Sequence, residues 1–296
     1  MITREELDEY AKTNKKLAEL AKEDFLEFWR MLVKADPTVT VEQALEYASY
    51  LIEVYGEASS LNAAEMFEKT NRTNNATLYG SVENEELERV VRFLVFNESE
   101  KALKAVLNMI GNQVNGYARE TMIENAKENN IRFARVPVGK TCAFCLMLAS
   151  RGYEYYSEES AGKGKLNAFH DNCDCQIVST NDEIEGYDPD YLYEEIYLPS
   201  YEQAKAESSN ELSTFFNIER KYGVHSKEAI EYAESIGLIY QQNKYGEWET
   251  VYRRRNRRNV NIYMPKDGSA PTRSYTVDDH LGRKTLAIIR DKYGFK

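Results

Sequence analysis

The sequence predicts an α+β protein that is predominantly helical. It has long N-terminal helices, a small zinc-stapled α+β module and a mixed C-terminal region. Three observations carry this expectation. Apolar residues recur at three-four spacing through most of residues 1–130. Near Asn130 the period changes, and short alternating runs replace it. All four cysteines of the 296-residue chain fall between Cys142 and Cys175, beside one of its three histidines.

The elements follow in chain order. Thr3 and Glu6 have capping-box spacing, and Leu7, Tyr10, Leu17, Ala21, Phe25, Phe28, Trp29 and Leu32 form the stripe of a first long helix. "DPT" at Asp36–Thr38 breaks it. Thr40 and Gln43 cap a second helix, whose stripe runs through Leu45, Ala48, Leu51, Ile52, Tyr55 and Ala58. The polar stretch "NRTNNATLYGS" ends it. Two more helices follow, one through Leu87, Val90, Val91 and Leu94, the other through Leu103, Leu107, Ile110, Val114 and Tyr117. Short connections predict antiparallel packing into a self-contained bundle. The alternative is an extended arm that needs a partner to bury its stripe.

"IRFARVPVG" alternates and reads as a strand. "AFCLMLASR" reads as a short helix closed by Gly152, and "YEYYS" and "CQIVST" read as strands. Residues 131–180 therefore read as a compact module. Residues 181–296 read as an acidic, Tyr-rich connector lying on a surface, followed by a basic α/β region. That region holds a helix at "SKEAIEYAESIG", β-type residues from Leu238 and a last helix in "VDDHLGRKTLAIIRDKYGFK".

Hydrophobic residues make up 42% of the chain and charged residues 29%, enough apolar material for a packed core. No stretch approaches eighteen consecutive apolar residues, so no membrane span is expected. The first residues are charged and lack the apolar run of a secretory signal. A reducing compartment and reduced thiols are the expectation. The net charge of −11 is uneven. From Val251 to Lys296 there are twelve Lys and Arg against four Asp and Glu, a local +8 that leaves −19 before it. A basic end on an acidic chain predicts an acidic partner, nucleic acid or protein.

The cysteines are spaced Cys142-x2-Cys145, then His170-x2-Cys173-x-Cys175. Two ligands on one tight turn, met by a second pair from a hairpin, complete a tetrahedron around Zn²⁺. Five groups compete for four positions. Cys142, Cys145, His170 and one of Cys173 and Cys175 are the expected ligands, with Cys175 slightly ahead. Disulfide or redox chemistry and a Cys–His nucleophile are the alternatives. A catalytic thiol needs no three companions, so a structural ion is favoured.

"RVPVGKTCAFCLMLASRGYEYYS" followed by "FHDNCDCQIV" resembles the cysteine-containing segment of the Mu F-like minor head proteins of tailed bacteriophages. The match lies at Cys142, Cys145, Gly152, His170, Cys173 and Cys175 and covers about 50 residues. Relatives often have Pro after the His and Arg inside the last Cys-x-Cys, where this chain has Asp171 and Asp174. The resemblance implies a low-copy structural protein of the phage head near the portal vertex. It implies contact with the portal, the scaffold or major capsid protein, or packaged DNA. It also implies a path from host cytoplasm to virion. Some relatives are maturation proteases or carry toxin domains.

The expected role is non-enzymatic. A protease would need a nucleophile and base, but Ser150 has no Gly-x-Ser-x-Gly setting and His170 is engaged elsewhere. Glu247 and Glu249 in "GEWET" resemble the end of an ADP-ribosyltransferase site, without its other motifs. His225 and His280 read as solvated or capping histidines. Arg253, Arg254, Arg255, Arg257 and Arg258 read as a charged strand edge, or as contacts to phosphate or to a partner. A zinc-dependent DNA-binding protein is the remaining alternative.

Overall fold

The computed structural model describes residues 1–35, 40–97, 99–139, 141–153, 175–180, 182–243, 245–252 and 280–295. The chain divides into two compact units. The first takes Met1–Thr141 and the described residues from Gly152 to Tyr187. The second takes Cys142–Arg151 and the described residues from Asp188 onward.

The first unit is built on four helices: α1 (Arg4–Ala35), α2 (Val41–Asn71), α3 (Asn84–Asn97) and α4 (Glu100–Glu128). Both expected capping boxes form. Thr3 and Glu6 exchange bonds of 2.9 and 3.2 Å, and Thr40 and Gln43 bonds of 3.1 and 3.3 Å. Each satisfies amides that a helix start leaves without partners. The break at 36–39 lies outside the described residues. The helices pack on one another rather than standing as an arm. Phe25, Trp29, Ile52, Leu87, Val91, Val106, Ile110 and Val114 bury together in one cluster. Among the described residues no helix is long and apolar enough to cross a membrane.

Residues 76–83 run extended along α4, and α4 side chains hold them. Asn125 Oδ1 accepts from Thr77 N–H at 2.8 Å, and its Nδ2 donates to Thr77 C=O at 2.7 Å. Thr121 does the same for Tyr79 at 3.0 and 2.8 Å, and Gln113 for Glu83 at 2.8 and 3.2 Å. The periods match: four helical residues rise about 6 Å and two extended residues span about 6.6 Å. The intermediate position is Tyr117, whose ring lies where a Cβ on Gly80 would stand.

Strand β1 (Phe133–Val136) pairs antiparallel with β2 (Gln176–Ser179), Phe133 opposite Ser179 and Val136 opposite Gln176. The alternation read from "IRFARV" does not survive, because Phe133, Ala134, Arg135 and Val136 are all buried. The pair is short enough to be covered on both faces. Phe133, Val136, Ile177 and Val178 share a cluster with Leu7, Phe67, Met122 and Ile123 of the helices. The strand reading of "YEYYS" lies outside the described residues beyond Tyr153.

The second unit begins with α5 (Ala143–Ala149). From Asp188 the structure corrects the connector reading. Asp188 caps α6 (Pro189–Tyr191), a π-helical turn spans Leu192–Tyr197, and α7 (Leu198–Tyr222) continues it. Asp188 Oδ1 accepts from two amides at 3.0 Å, and Pro189 at the first position costs no hydrogen bond. The tyrosines read as surface decoration recur at i, i+4. Tyr193, Tyr197 and Tyr201 stack at 5.9 and 6.2 Å. Ile196 and Tyr197 bury against Leu146 and Met147 of α5 and Leu286 and Ile289 of α9 (His280–Tyr293). Lys284 of α9 pairs with Glu211 and Glu207 of α7 at 2.6 and 3.3 Å. A second cluster joins Phe215 of α7, Ala229 and Ala233 of α8 (Lys227–Ser235) and Leu238 of β3 (Leu238–Gln242). Strand β3 forms an antiparallel hairpin with β4 (Trp248–Tyr252).

Candidate metal centre

The first turn of α5 has amide N–H groups without helical acceptors, a role usually met by Ser, Thr, Asp or Asn. Here the N-cap is Cys142, extended at φ −84° and ψ 156°. Its Sγ accepts from the Cys145 N–H at 3.2 Å. An N–H aimed at sulfur offsets negative charge there, as a metal-bound thiolate requires. The next seven residues, Phe144 apart, are buried and fix the helix against the core of its unit. Cys145 is itself buried, while Cys142 is half-buried. Sequence spacing alone thus places two sulfurs on one turn with a donor between them.

Cys175 is buried and directly precedes β2, within the first unit. Side chains of the bundle hold β2 at both ends. Gln176 Oε1 accepts from Asn14 Nδ2 at 3.4 Å, and Asn14 Oδ1 accepts from Ser59 and Asn62 at 3.1 and 2.8 Å. At the far end the Ser179 carbonyl accepts from Thr70 and Asn71 at 3.0 and 2.8 Å. Arg4 donates to the Pro137 carbonyl at 3.2 Å beyond β1. These ties fix the backbone that follows Cys175.

His170 and Cys173 lie outside the described residues, as do Arg253, Arg254, Arg255, Arg257 and Arg258. Among the described residues no disulfide joins Cys142, Cys145 and Cys175 to one another. Among the described residues no three His, Cys, Asp or Glu side chains gather as the ligands of one ion. The donor chemistry of the Cys142–Cys145 turn fits a thiolate-seeking ion such as Zn²⁺.

The remaining candidates are placed as follows. Ser150 closes α5, fully buried, with its hydroxyl donating to the Met147 carbonyl at 2.8 Å. Glu247 and Glu249 are exposed on the β3–β4 hairpin, accepting from Asn243 at 3.2 Å and Gln241 at 2.7 Å. His225 is neither a cap nor simply solvated. It has φ 62° in the turn before α8 and stacks on Trp248 at 3.8 Å and 10°. His280 opens α9. Two residues escaped the sequence reading. Arg135 is fully buried on β1 opposite Ile177, where an arginine in an alternating run reads as outward-facing. Tyr153, just past α5, meets Tyr187 edge-on at 6.2 Å, and burial pushes its phenol well above the ordinary range. No motif marks either.

No curated protein and no solved structure matches the chain. A family model does, described as VG15 protein, over residues 1–198. That span takes in the four-helix bundle, β1, α5, β2 and the π-helical turn, and ends at the first residue of α7. Two thirds of the sequence is covered, including the whole cysteine segment, and the chain belongs to the VG15 protein family.

Proposed function

We propose that the chain is a structural minor head protein of a tailed phage, acting in head assembly near the portal vertex. The family match over residues 1–198 supports a phage protein. The minor head assignment rests on the resemblance of the cysteine segment. Its partners on this reading are the portal and the scaffold or major capsid protein, with packaged DNA as a further contact of the basic C-terminal region. The chain acts in the host cytoplasm during assembly and then in the virion, and it is not an enzyme. Cys142, Cys145, His170 and one of Cys173 and Cys175 hold one structural Zn²⁺, which staples the chain between Cys142 and Cys175.

The observation that carries the zinc reading is the Cys142 sulfur receiving the Cys145 N–H at the start of α5. Metal supplies cross-linking here and no chemistry. Mass spectrometry of purified phage heads tests the assembly role. A few copies per head are expected, and complete absence from finished and unfinished heads overturns it. Incubation with scaffold and coat proteins is expected to leave both intact. Cleavage that disappears in Ser150→Ala would replace the structural role with a protease. The DNA contact predicts duplex binding that weakens steeply with salt.

A further inference from the structure

Helix α2 carries two apolar stripes. One faces inward, where Ala44, Ala48, Leu51, Ile52, Ala63 and Phe67 bury in the cores of the first unit. The other faces outward. Tyr47, Tyr50, Val54, Ala58 and Leu61 recur at steps of three, four, four and three, the spacing of a helix–helix seam. Tyr50, Val54 and Leu61 stay 56%, 44% and 52% exposed. The stripe runs about 21 Å along the helix, four turns. A helix needs one apolar stripe to fold against its neighbours; of the second, Tyr47 packs on the bundle core, while Tyr50, Val54 and Leu61 face solvent.

The flanks of this outer seam have one sign. From Thr40 to Glu68 the chain has six glutamates and no Lys or Arg, and Glu46, Glu53, Glu57 and Glu65 are exposed beside the seam. Helix α1 extends the pattern. Phe28 stacks on Tyr47 at 4.0 Å, and Asp24 accepts from the Tyr55 hydroxyl at 2.6 Å. Burial raises the Tyr47 phenol, and Asp24, Tyr50 and Glu27 add to the rise, so carboxylates set the field at this end of the seam. Apolar knobs flanked by charges of one sign specify a partner with an apolar seam and the opposite flanks. Tyrosine suits such a contact, offering wide apolar area with a polar tip.

We propose that the outer face of α2 docks an amphipathic helix of a partner protein, one whose apolar seam is flanked by Lys and Arg. A second copy of this chain fits less well. Its basic stretch, Arg253–Arg258 and the "NVNIYMP" that follows, lacks apolar residues at three-four spacing. The proposal stands on α2 and does not depend on the zinc site or the head-assembly role.

The test uses the full chain and two labelled synthetic 21-residue helical peptides. Both have leucines at three-four spacing; one has Lys at the flanks and the other Glu. Fluorescence anisotropy is expected to show micromolar binding of the Lys peptide, at least tenfold tighter than its Glu twin. The variant Tyr50→Gln/Val54→Gln/Leu61→Gln should bind at least tenfold more weakly, with its helical circular dichroism unchanged because the replaced residues are exposed. Glu46→Gln/Glu53→Gln/Glu57→Gln should remove most of the salt dependence. Equal binding by wild type and the apolar triple variant would reduce the effect to diffuse charge and overturn the proposal. So would no binding at 100 µM peptide, or self-association of the chain that the apolar variant abolishes.

Discussion

Asn125→Ala tests how the extended segment 76–83 is held. Asn125 is fully buried in α4 and makes three bonds within 2.8 Å, two of them to both polar groups of Thr77. Alanine keeps the helix and removes all three. A lost hydrogen bond costs about 1 kcal/mol net, and about 1–3 kcal/mol where a group is left buried without a partner. Thr77 is exposed, so water replaces part of the loss there. The third bond goes to the Thr121 carbonyl, which is in the interior and keeps its helical bond from the residue 125 N–H. The expected destabilisation is therefore about 2–4 kcal/mol. Urea unfolding followed by Trp29 fluorescence reads it, because Trp29 is buried in the bundle core. Trp248→Phe as background removes the other tryptophan. Asn125→Asp should be at least as damaging, since a carboxylate would face two carbonyls. A loss below about 0.5 kcal/mol for the alanine variant would show that α4 does not hold this segment through its side chains.

Four other outcomes follow from the same structure. Gly56→Ala should destabilise by about 1–3 kcal/mol although alanine favours helix, because its Cβ would stand 2.7 Å from the Tyr117 ring; a stabilised variant in urea titration would contradict this. Lys284→Met should speed hydrogen exchange in α9, since it removes the pairs with Glu207 and Glu211, and unchanged protection would refute that pin. Metal analysis of protein made under reducing conditions should give about one Zn per chain, lost in Cys142→Ser and Cys145→Ser; metal-free protein with intact disulfides would end the zinc proposal. Acid should weaken the fold. Hydrogen bonding to Lys69 and Thr3 holds Glu6 below its ordinary 4.5, and bonds from Gln203 and Lys284 lower Glu207. Both carboxyls hold fewer protons folded than unfolded. Their contribution is thus present above about pH 4.5 and is lost as pH falls through the lowered folded values. Glu6→Gln should flatten the fall of the urea midpoint between pH 5 and 3, and an unchanged slope would exclude its part.

Helix boundaries were legible wherever local chemistry sets them. Thr3 and Thr40 cap their helices with their own side chains, as their spacing to Glu6 and Gln43 marks in the sequence; Ser99 and Ser226 also cap α4 and α8. The π-helical turn at Leu192–Tyr197 was not legible. Acidic residues and tyrosines there suggest a surface, and only the neighbours α5 and α9 make Ile196 and Tyr197 interior. The candidate site divides in the same way. Cys142, Cys145, His170, Cys173 and Cys175 stand out by spacing, and the sulfur acceptor at the α5 start bears on the first pair. The ties that fix Gln176 and Ser179 beside Cys175 come from Asn14, Thr70 and Asn71, each more than a hundred residues away.

The sequence by itself determined the long N-terminal helices, the two capping boxes, the short helix after Cys142 and the β character of the segment from Leu238. Each follows from residues within a few positions of one another, where spacing and capping act directly. Only the tertiary structure decided which apolar stripe of α2 became core and which stayed exposed. It alone buried Arg135 and laid residues 76–83 along α4. Those outcomes depend on surfaces distant in sequence, whose packing no local period encodes.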